Sequence, residues 1–552
     1  MRVRAAGAVF LALALIAVGC GGGNDEEGQE AEPGIPQANE LPADTAEPQI
    51  GGTLQYGLEA DVSTFVPQDN VCPIACGMVL RAVYDPLAEI NEDGEVVGVL
   101  LSDIAHNEDY TEWTLTVRDG ITFHDGTPLN GDAVVTSFER GRGSPVLLQA
   151  LADVESVTAE GQVVTVRTRR PWVALDYGLT TQVGFIASPT WLAAVDAGTA
   201  QQTEPVGTGP FRFESYEAGG SVSVVRNEDY WRTDEAGNPL PYLDGIDFTI
   251  IEDSQSRVNA LRSGELDLTH VFQGDLVADL RDNPGDLELL ENSDEAETVY
   301  VLLNNAEEVM GDVDVRRALA QATNAELINE AVGGGISQIA NGPFPPGSVG
   351  YVEDNGSPGY DLAAAQQAIE DYEADNGPLE VSLKTTSDAF NLTATELIAD
   401  QWEQAGVDVS IDQVEQVQFV LDAARGEFQA LTFRALAHAD PDQLNYFLSS
   451  QTAAPIGSLG INFHRIEDDE VDAALDIIRE DPDPAAREEA AITLNRRLAD
   501  QVMLLPLFWV IWSLPHDPAV HQIATGYTTP DGDPISGVRT GLHQLSQIWL
   551  EQ

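Results

Sequence analysis

Alternating apolar and polar residues predict strands in the first third of the chain. Thr53–Leu58, Thr111–Val117 and Gln162–Arg167 alternate with a period of two, which is typical of strands with one buried face. Asp119-Gly120 is a tight-turn dipeptide and is followed by Ile121–Phe123. We therefore predict a hairpin that joins residues 111–117 to residues 121–123.

A second hairpin is predicted further along the chain, before a strand and a helix. Phe211–Tyr216 and Ser221–Val225 flank Ala218-Gly219-Gly220, and glycines of this kind supply the backbone freedom that a tight turn needs. Asp247–Ile251 reads as a buried strand, and Ser254 is placed to cap the helix that follows. The first half is therefore expected to be rich in antiparallel pairs.

Residues 379–434 give the clearest secondary-structure pattern. Strand-like runs at 379–383, 407–411 and 428–433 are separated by two helical segments. On the first helix, one face carries the apolar residues Ala394, Leu397, Ile398, Trp402 and Ala405. A β-α-β-α-β order requires a parallel sheet with helices on its faces. This part of the chain is therefore predicted to be α/β.

Composition limits the classes of function. A chain of 552 residues is too long for one hydrophobic core, so two or three domains are expected. The chain has 92 acidic and 26 basic residues, and this balance excludes a basic surface for nucleic acid or anionic lipid. The excess acid fits either a trap for a cationic ligand or a solvated surface suited to high salt. Its spread over the whole chain favours the second explanation.

The N-terminus resembles a bacterial lipoprotein signal. Arg2 and Arg4 precede the uncharged apolar stretch Ala5–Val18, which is short for a membrane span and ends just before Cys20. We predict cleavage of residues 1–19 and a lipid on the Cys20 sulfur. An ordinary signal with an incidental cysteine is the alternative. Residues 20–50 are then the lipidated cysteine and a disordered acidic tether, because Gly, Pro and acids dominate there.

Two further cysteines are separated by three residues. An exported compartment permits disulfides, and Cys72 and Cys76 are then the available pair. A metal site made from two thiols alone is the weaker alternative, because neither Pro73 nor Ile74 adds a ligand. We predict a local disulfide between Cys72 and Cys76.

The sequence contains none of the common catalytic motifs. Zinc-protease, serine-hydrolase and phosphate-loop patterns are missing, and the eight histidines lack metal-ligand spacing. The glycine-rich segment Gly207–Pro210 precedes a strand and has no lysine partner, so it reads as a turn. We therefore expect no enzymatic reaction, no cofactor and no metal.

Several segments together resemble the family 5 extracellular solute-binding proteins, the peptide, nickel and opine receptors of ABC importers. They occur in the order typical of that family and cover nearly all of the predicted mature chain. The segments are GGTLQYGLEADVSTFVP (51–67), VYDPLAEINEDGEV (83–96), WTLTVRDGITFHDGTPLNGDAVVTSFER (113–140), VGTGPFRF (206–213), RNEDYW (226–231), DSQSRVNALRSGELDL (253–268), VYVLLNN (299–305), DVRRALAQATN (314–324) and LNRRLADQVMLLPLFW (494–509).

The resemblance implies a type II periplasmic-binding-protein-like α/β fold, in which two α/β lobes are joined by two crossing strands and the first lobe carries an extra subdomain. Residues 299–305 and 503–509 are expected to cross between the lobes, and a hinge would close the lobes around the ligand. The expected divisions are lobe I at 51–83, 204–303 and 504–552, its subdomain at 84–203, and lobe II at 304–503.

The resemblance also suggests which residues contact the ligand. Cleft positions should follow the crossing strands and include an aromatic wall with a few polar groups. The candidates are Phe65, Asn304, Asn305, Arg434, Asp440 and Trp509.

One of the family's charged positions differs in this chain. In peptide-binding members, an acid three residues before an Asp-Pro-Asp-like element pairs with the peptide's amino group, and Ala437 stands there relative to Asp440-Pro441-Asp442. Asp440 could substitute for that acid if the loop is shifted. Arg434 could instead hold a carboxylate or another anion, with a salt bridge on an acidic surface as its alternative role.

These observations predict a substrate-binding receptor of an ABC importer. It would capture a peptide or another small polar solute and deliver it to a membrane permease, as a monomer held by lipid on the outer face of the cytoplasmic membrane. An exported lipid-anchored hydrolase, or a sensory or envelope lipoprotein on the same scaffold, is the alternative.

Overall fold

A computed structural model describes residues 46–62, 64–70 and 74–552. Within them the helices are α1 (Ile74–Val83), α2 (Gly131–Gly143), α3 (Leu175–Gly178), α4 (Pro189–Asp196), α5 (Ser254–Arg262), α6 (Gly274–Asp282), α7 (Val313–Ala322), α8 (Ala325–Val332), α9 (Leu362–Asn376), α10 (Ala389–Ala405), α11 (Gln416–Arg425), α12 (Leu444–Leu448), α13 (Asp469–Glu480) and α14 (Pro484–Asp500).

The strands of the same residues are β1 (Thr53–Leu58), β2 (Ala88–Ile90), β3 (Val96–Gly98), β4 (Leu101–His106), β5 (Glu112–Val117), β6 (Val154–Glu160), β7 (Val163–Thr168), β8 (Phe211–Glu217), β9 (Ser221–Arg226), β10 (Gly245–Ile250), β11 (Leu268–Thr269), β12 (Glu288–Asn292), β13 (Thr298–Leu303), β14 (Glu380–Thr385), β15 (Asp408–Gln413), β16 (Ala430–Ala435), β17 (Leu505–Trp509), β18 (Trp512–His516), β19 (Val520–His521), β20 (Val538–Arg539), β21 (Leu542–His543) and β22 (Trp549–Leu550).

Lobe I is built on a mixed seven-stranded sheet with the order β12-β18-β11-β1-β10-β9-β8. β1 is parallel to both β10 and β11, so the carboxyl ends of these three strands lie at one edge. β8 and β9 form the predicted antiparallel hairpin. Tyr56 and Phe248 are fully buried in this sheet and lie in contact, which ties β1 to β10 through aromatic packing.

Lobe II is built on a five-stranded sheet with the order β15-β14-β16-β13-β17. β14 is parallel to β15 and to β16, as the β-α-β-α-β pattern predicted. α10 covers the sheet with the predicted apolar face, where Trp402 is fully buried, and it ends at Gly406 in the left-handed conformation. The parallel core of lobe II therefore follows directly from the sequence pattern.

Residues 87–186, within the predicted subdomain, form a hydrophobic core of their own. Its antiparallel sheet has the order β4-β5-β7-β6, and α2 packs on β6 and β7. Asn130 caps α2 as predicted, because its side chain accepts from the backbone N–H of Ala133. Trp113 lies inside this core and is 2 % exposed.

The two links between the sheets differ from the prediction. β13 and β17 were expected to cross between the lobes, but they pair side by side within the five-stranded sheet. The chain passes between the two large sheets at residues 293–297 and 510–511 instead. The boundaries predicted at 303 and 504 thus fall at the far ends of these strands. All residues of β13 are buried, so its own sequence does not show which lobe it joins.

Two local predictions were also wrong. β5 pairs with β4 and β7, whereas residues 121–123 form only an isolated bridge through Thr122, so Asp119-Gly120 does not close a hairpin between them. Asp253 rather than Ser254 caps α5, by accepting from the backbone N–H of Ser256.

In the part of the chain that the structure describes, no helix is both long and apolar enough to cross a membrane. The predicted signal, tether and Cys20 lie outside the described residues, as does Cys72. Cys76 is disulfide-bonded, and its pairing with Cys72 stays a prediction.

Candidate functional site

The carboxyl ends of parallel strands from both lobes face each other. In α/β sheets this edge is where ligands bind. In lobe I, Glu59 follows β1 and His270 follows β11. In lobe II, Arg434 is the second-last residue of β16. Arg434 reaches lobe I, since its Cζ atom lies 3.7 Å from the ring centroid of Phe272. We call this region, made of Glu59, His270, Phe272, Arg434 and their contacts, the lobe seam.

Aromatic rings close the seam on two sides of Arg434. Its Cζ atom lies 5.1 Å from the ring of Trp512, at the start of β18. Phe272 packs at 5.4 Å against Trp512 and at 5.7 Å, edge on, against Phe390 near the start of α10. Phe390 belongs to lobe II, so a ring of lobe II packs against the lobe I ring that lies nearest to the guanidinium.

The charged groups of the seam keep some access to solvent while their surroundings are buried. The side chains of Arg434, Glu297 and Glu59 are 22 %, 16 % and 15 % exposed, whereas Trp512 is fully buried. Arg434 Nε lies 3.4 Å from Glu297 Oε2, and Arg434 Nη1 has no hydrogen-bond partner among the described residues. The seam therefore combines partly exposed charged side chains with a buried donor, Arg434 Nη1, that has no partner among the described residues.

Burial controls the ionisation of the seam. Burial raises the pKa of Glu59, and the nearby cations of Arg434 and Arg257 oppose that rise. Burial lowers the pKa of His270 well below its usual value, and the same two arginines lower it further. His270 is therefore neutral at pH 7 and contacts Glu59, while Tyr56 Oη lies 3.2 Å from His270 Nδ1.

A second set of contacts joins the subdomain to lobe II. Trp172 Nε1 donates to Asp442 Oδ2 at 2.8 Å. Arg479 donates from Nε to Asp442 Oδ1 at 2.9 Å and from Nη1 to Asp153 at 2.7 Å. Arg170 binds Asp153 at 2.9 Å. We call Asp153, Arg170, Trp172, Asp442 and Arg479 the clasp, because their contacts join the subdomain to lobe II.

The backbone strengthens the clasp. The N–H of Val173 donates to the carbonyl of Arg479 at 2.8 Å, and Tyr446 Oη donates to the carbonyl of Val146 at 2.5 Å. Arg479 also lies over the ring of Trp172 at 4.6 Å. Seam and clasp together show the lobes in a closed arrangement.

Of the six ligand contacts predicted from the sequence, only Arg434 lies in the seam. Phe65 is fully buried in lobe I against Phe213 and Tyr216. Asn304 is fully buried, and its amide donates to the carbonyls of Gly426 and Phe428, both at 2.9 Å. These two side chains are structural, because no surface is left for a solute.

The other three predicted contacts also have partners within the protein or little surface. Asn305 donates its amide to three carbonyls, of Leu303, His464 and Met503. Trp509 is 4 % exposed and packs against Tyr351.

Asp440 accepts from Arg487 Nη2 at 2.5 Å, and burial raises its pKa against the pull of that arginine. It acts on Asp176 of the subdomain, whose pKa is raised to about 6, mainly by burial and in part by the negative charge of Asp440. Asp440 and Asp442 of the Asp-Pro-Asp element therefore serve the contact between subdomain and lobe II.

Sequence reasoning missed Glu59, Phe272 and the clasp. Glu59 could have been found, because it directly follows the strand predicted at Thr53–Leu58, and the ends of strands are where α/β sheets bind ligands. Leu436 carried no such signal, yet it has φ of 71° and turns the chain between Arg434 and Ala437. Left-handed backbone in a leucine is strained and marks segments held by their surroundings. Among the described residues no group of three or more acids, histidines or cysteines is placed to hold a metal ion.

Two curated binding proteins are similar to this chain in sequence. The chain is 26 % identical over 465 residues to the nickel-binding periplasmic protein of Escherichia coli, covering 80 % of this chain and 86 % of that one. It is 25 % identical over 441 residues to the dipeptide-binding protein of the same organism, covering 74 % and 80 %.

Solved structures share the fold. The periplasmic binding protein DppA of Helicobacter pylori, in complex with the peptide STSA, matches with a TM-score of 0.79 at 22 % identity, over 91 % of this chain and 99 % of that one. AgaA of A. tumefaciens, in complex with agropinic acid, matches with a TM-score of 0.78 at 23 % identity over the same shares. The type II fold predicted from the sequence is thereby confirmed.

The model of the middle region of the family 5 bacterial extracellular solute-binding proteins matches residues 95–456. This span includes most of the subdomain, most of lobe II and Arg434. The chain belongs to the family 5 bacterial extracellular solute-binding proteins.

Proposed function

We propose that the protein is the solute receptor of an ABC importer and that it encloses a peptide or another small polar solute at the lobe seam. The observation that carries this proposal is the seam itself. Charged groups at the carboxyl ends of parallel strands in both lobes meet there. Their side chains stay partly exposed to solvent, whereas the aromatic residues around them are buried. A solute bound between them contacts both lobes and so favours the closed state.

The relatives support a modest polar solute. Their names give nickel and dipeptides, and the solved neighbours carry a peptide and an opine. We propose Glu59, Glu297 and Arg434 as the charged groups that face the solute. The division into lobes is proposed at the links 293–297 and 510–511, where the chain leaves one sheet for the other.

We further propose that the protein performs no reaction. Its work is binding, closure and docking on a membrane permease, as a monomer. The hydrolase alternative predicts that a bound solute is consumed. Mass spectrometry of a solute before and after long incubation with pure protein separates the two, since a receptor returns the solute unchanged.

A thermal-shift titration tests solute binding. The probes are a mixed library of short peptides and a panel of opines, added to residues 21–552 at high salt. A ligand at 100 times its dissociation constant stabilises the form that binds it by about 2.7 kcal/mol. We expect a saturable rise in melting temperature with at least one probe. No rise with any probe, from protein shown to carry no bound solute, would contradict the proposed ligand class.

Export and anchoring are proposed from the N-terminal sequence alone. Replacing Cys20 with Ser removes the sulfur that would carry lipid. We expect the wild-type chain to sediment with membranes and the Cys20→Ser chain to lose that association. Equal distribution of the two chains would favour the ordinary-signal alternative.

A further inference from the structure

The surroundings of Arg434 form a cage for a cation. Two aromatic rings, of Phe272 and Trp512, lie 3.7 Å and 5.1 Å from its Cζ atom. Ring faces at these distances attract a cation through their negative charge density. Phe390 backs Phe272 edge on, so the ring that lies closest to the guanidinium is held in place.

A carboxylate completes the cage. Glu297 Oε2 lies 3.4 Å from Arg434 Nε. Glu59 adds a second acid to the seam, in contact with His270. Two aromatic rings and a carboxylate against one positive group are the chemistry that recognises a guanidinium or an alkylammonium ion.

The cage and its occupant come from different parts of the chain. Phe272, Trp512 and Glu59 belong to lobe I and Glu297 to a link, whereas Arg434 projects from strand β16 of lobe II. Arg434 therefore enters the cage as the lobes close. A free solute that carries a positive group would compete for the same volume.

We propose that Arg434 is the specificity-determining residue of the seam: it fills a cation cage of lobe I with a cation of lobe II, and thereby excludes solutes that place an ammonium or guanidinium group there. The consequence for solute choice rests on the proposed function. The cage itself does not, and it can be tested without knowing the transported solute.

The consequence agrees with the neighbouring loop. Ala437 supplies no acid for an amino group, while Arg434 Nη1 remains a donor without a partner among the described residues. The solute that fits this arrangement presents a neutral or anionic acceptor to Arg434. Removing the Arg434 side chain should convert the seam into a binding site for an added cation.

Chemical rescue tests the cage. Arg434→Ala is titrated with methylguanidinium at constant ionic strength and below denaturing concentrations, with methylurea as the neutral probe of the same shape. We expect a saturable rise in melting temperature of a few degrees with methylguanidinium, little with methylurea, and neither effect in the wild type. Arg496→Ala, which removes an exposed arginine of α14, is the control and should respond to neither probe.

Two outcomes would overturn the proposal. An equal response to both probes would mean that the cavity binds by shape and not by charge, and no response to either would mean that no cage exists. Phe272→Leu added to Arg434→Ala should abolish the rescue, and a persistent rescue would place the site elsewhere. Should the Ala variant not fold, Arg434→Thr, which suits a strand position, replaces it. A failed solute screen leaves these readings intact, so failure of the cage and failure of the proposed function are distinguishable.

Discussion

The clasp allows a perturbation that weakens the closed state and leaves each lobe intact. Trp172 of the subdomain donates from Nε1 to Asp442 of lobe II, and Asp442 is 4 % exposed. Trp172→Phe keeps an aromatic ring over Arg479 but removes this donor. In the open form, water can reach Asp442 and replace the lost hydrogen bond. The substitution therefore raises the free energy of the closed form relative to the open form.

The size of the effect follows from the type of bond. A hydrogen bond to a charged group contributes about 1.5–3 kcal/mol. If a solute binds only as the lobes close, this cost appears in full in the binding free energy. Each 1.4 kcal/mol is a factor of ten, so the dissociation constant should rise between about 10-fold and 150-fold. The melting temperature without solute should change little.

Isothermal calorimetry with a solute from the thermal-shift screen measures this change. Trp113→Phe is the matched control, because Trp113 Nε1 donates at 3.1 Å to the carbonyl of Trp172 inside the subdomain, whether the lobes are open or closed. It should lower stability and leave affinity unchanged. The reasoning is refuted if Trp172→Phe binds as tightly as the wild type, or if both variants lose affinity equally.

Two further predictions concern stability. Burial lowers the pKa of His438 to about 4 and of His464 to about 3. Below about pH 6.5, these two histidines therefore bind protons in the unfolded chain but stay neutral in the folded chain. The free energy of unfolding, measured in urea, should fall by about 1.4 kcal/mol per histidine per pH unit between pH 6.5 and 4, and His438→Gln should reduce that slope; a flat profile would contradict it. Asn304→Ala should cost about 2–5 kcal/mol in the same assay, because two buried carbonyls lose their donor, with solute affinity unchanged; a loss of affinity at full stability would restore Asn304 as a ligand contact.

The parallel core of lobe II could be predicted from sequence because its signal is local. Apolar periodicity changes from 2 to 3.6 and back within residues 379–434, and every strand pairs in the order that this requires. The position of β13 could not be predicted in the same way. It is buried on both faces, so nothing in its own sequence says which sheet it joins.

Most of the seam could not be predicted from the sequence, because it is formed by contacts between residues far apart in the chain. Arg434 was found because it stands three residues before Ala437, where the family's acid is missing. Its contacts with Phe272 and Trp512 could not be predicted, because they form only when the two lobes are placed together. Asn304 was predicted as a ligand contact because it directly follows a strand, as a cleft residue would. In the structure its side-chain amide donates to the carbonyl of Gly426 and so holds that loop.

Small-angle X-ray scattering with and without a saturating solute measures whether the two lobes close around it. We propose that a solute bound at the seam draws the lobes into the closed arrangement held by the clasp. We therefore expect a smaller radius of gyration on solute addition, with a scattering curve that fits the closed structure. A radius that stays unchanged at saturation would contradict closure around the solute.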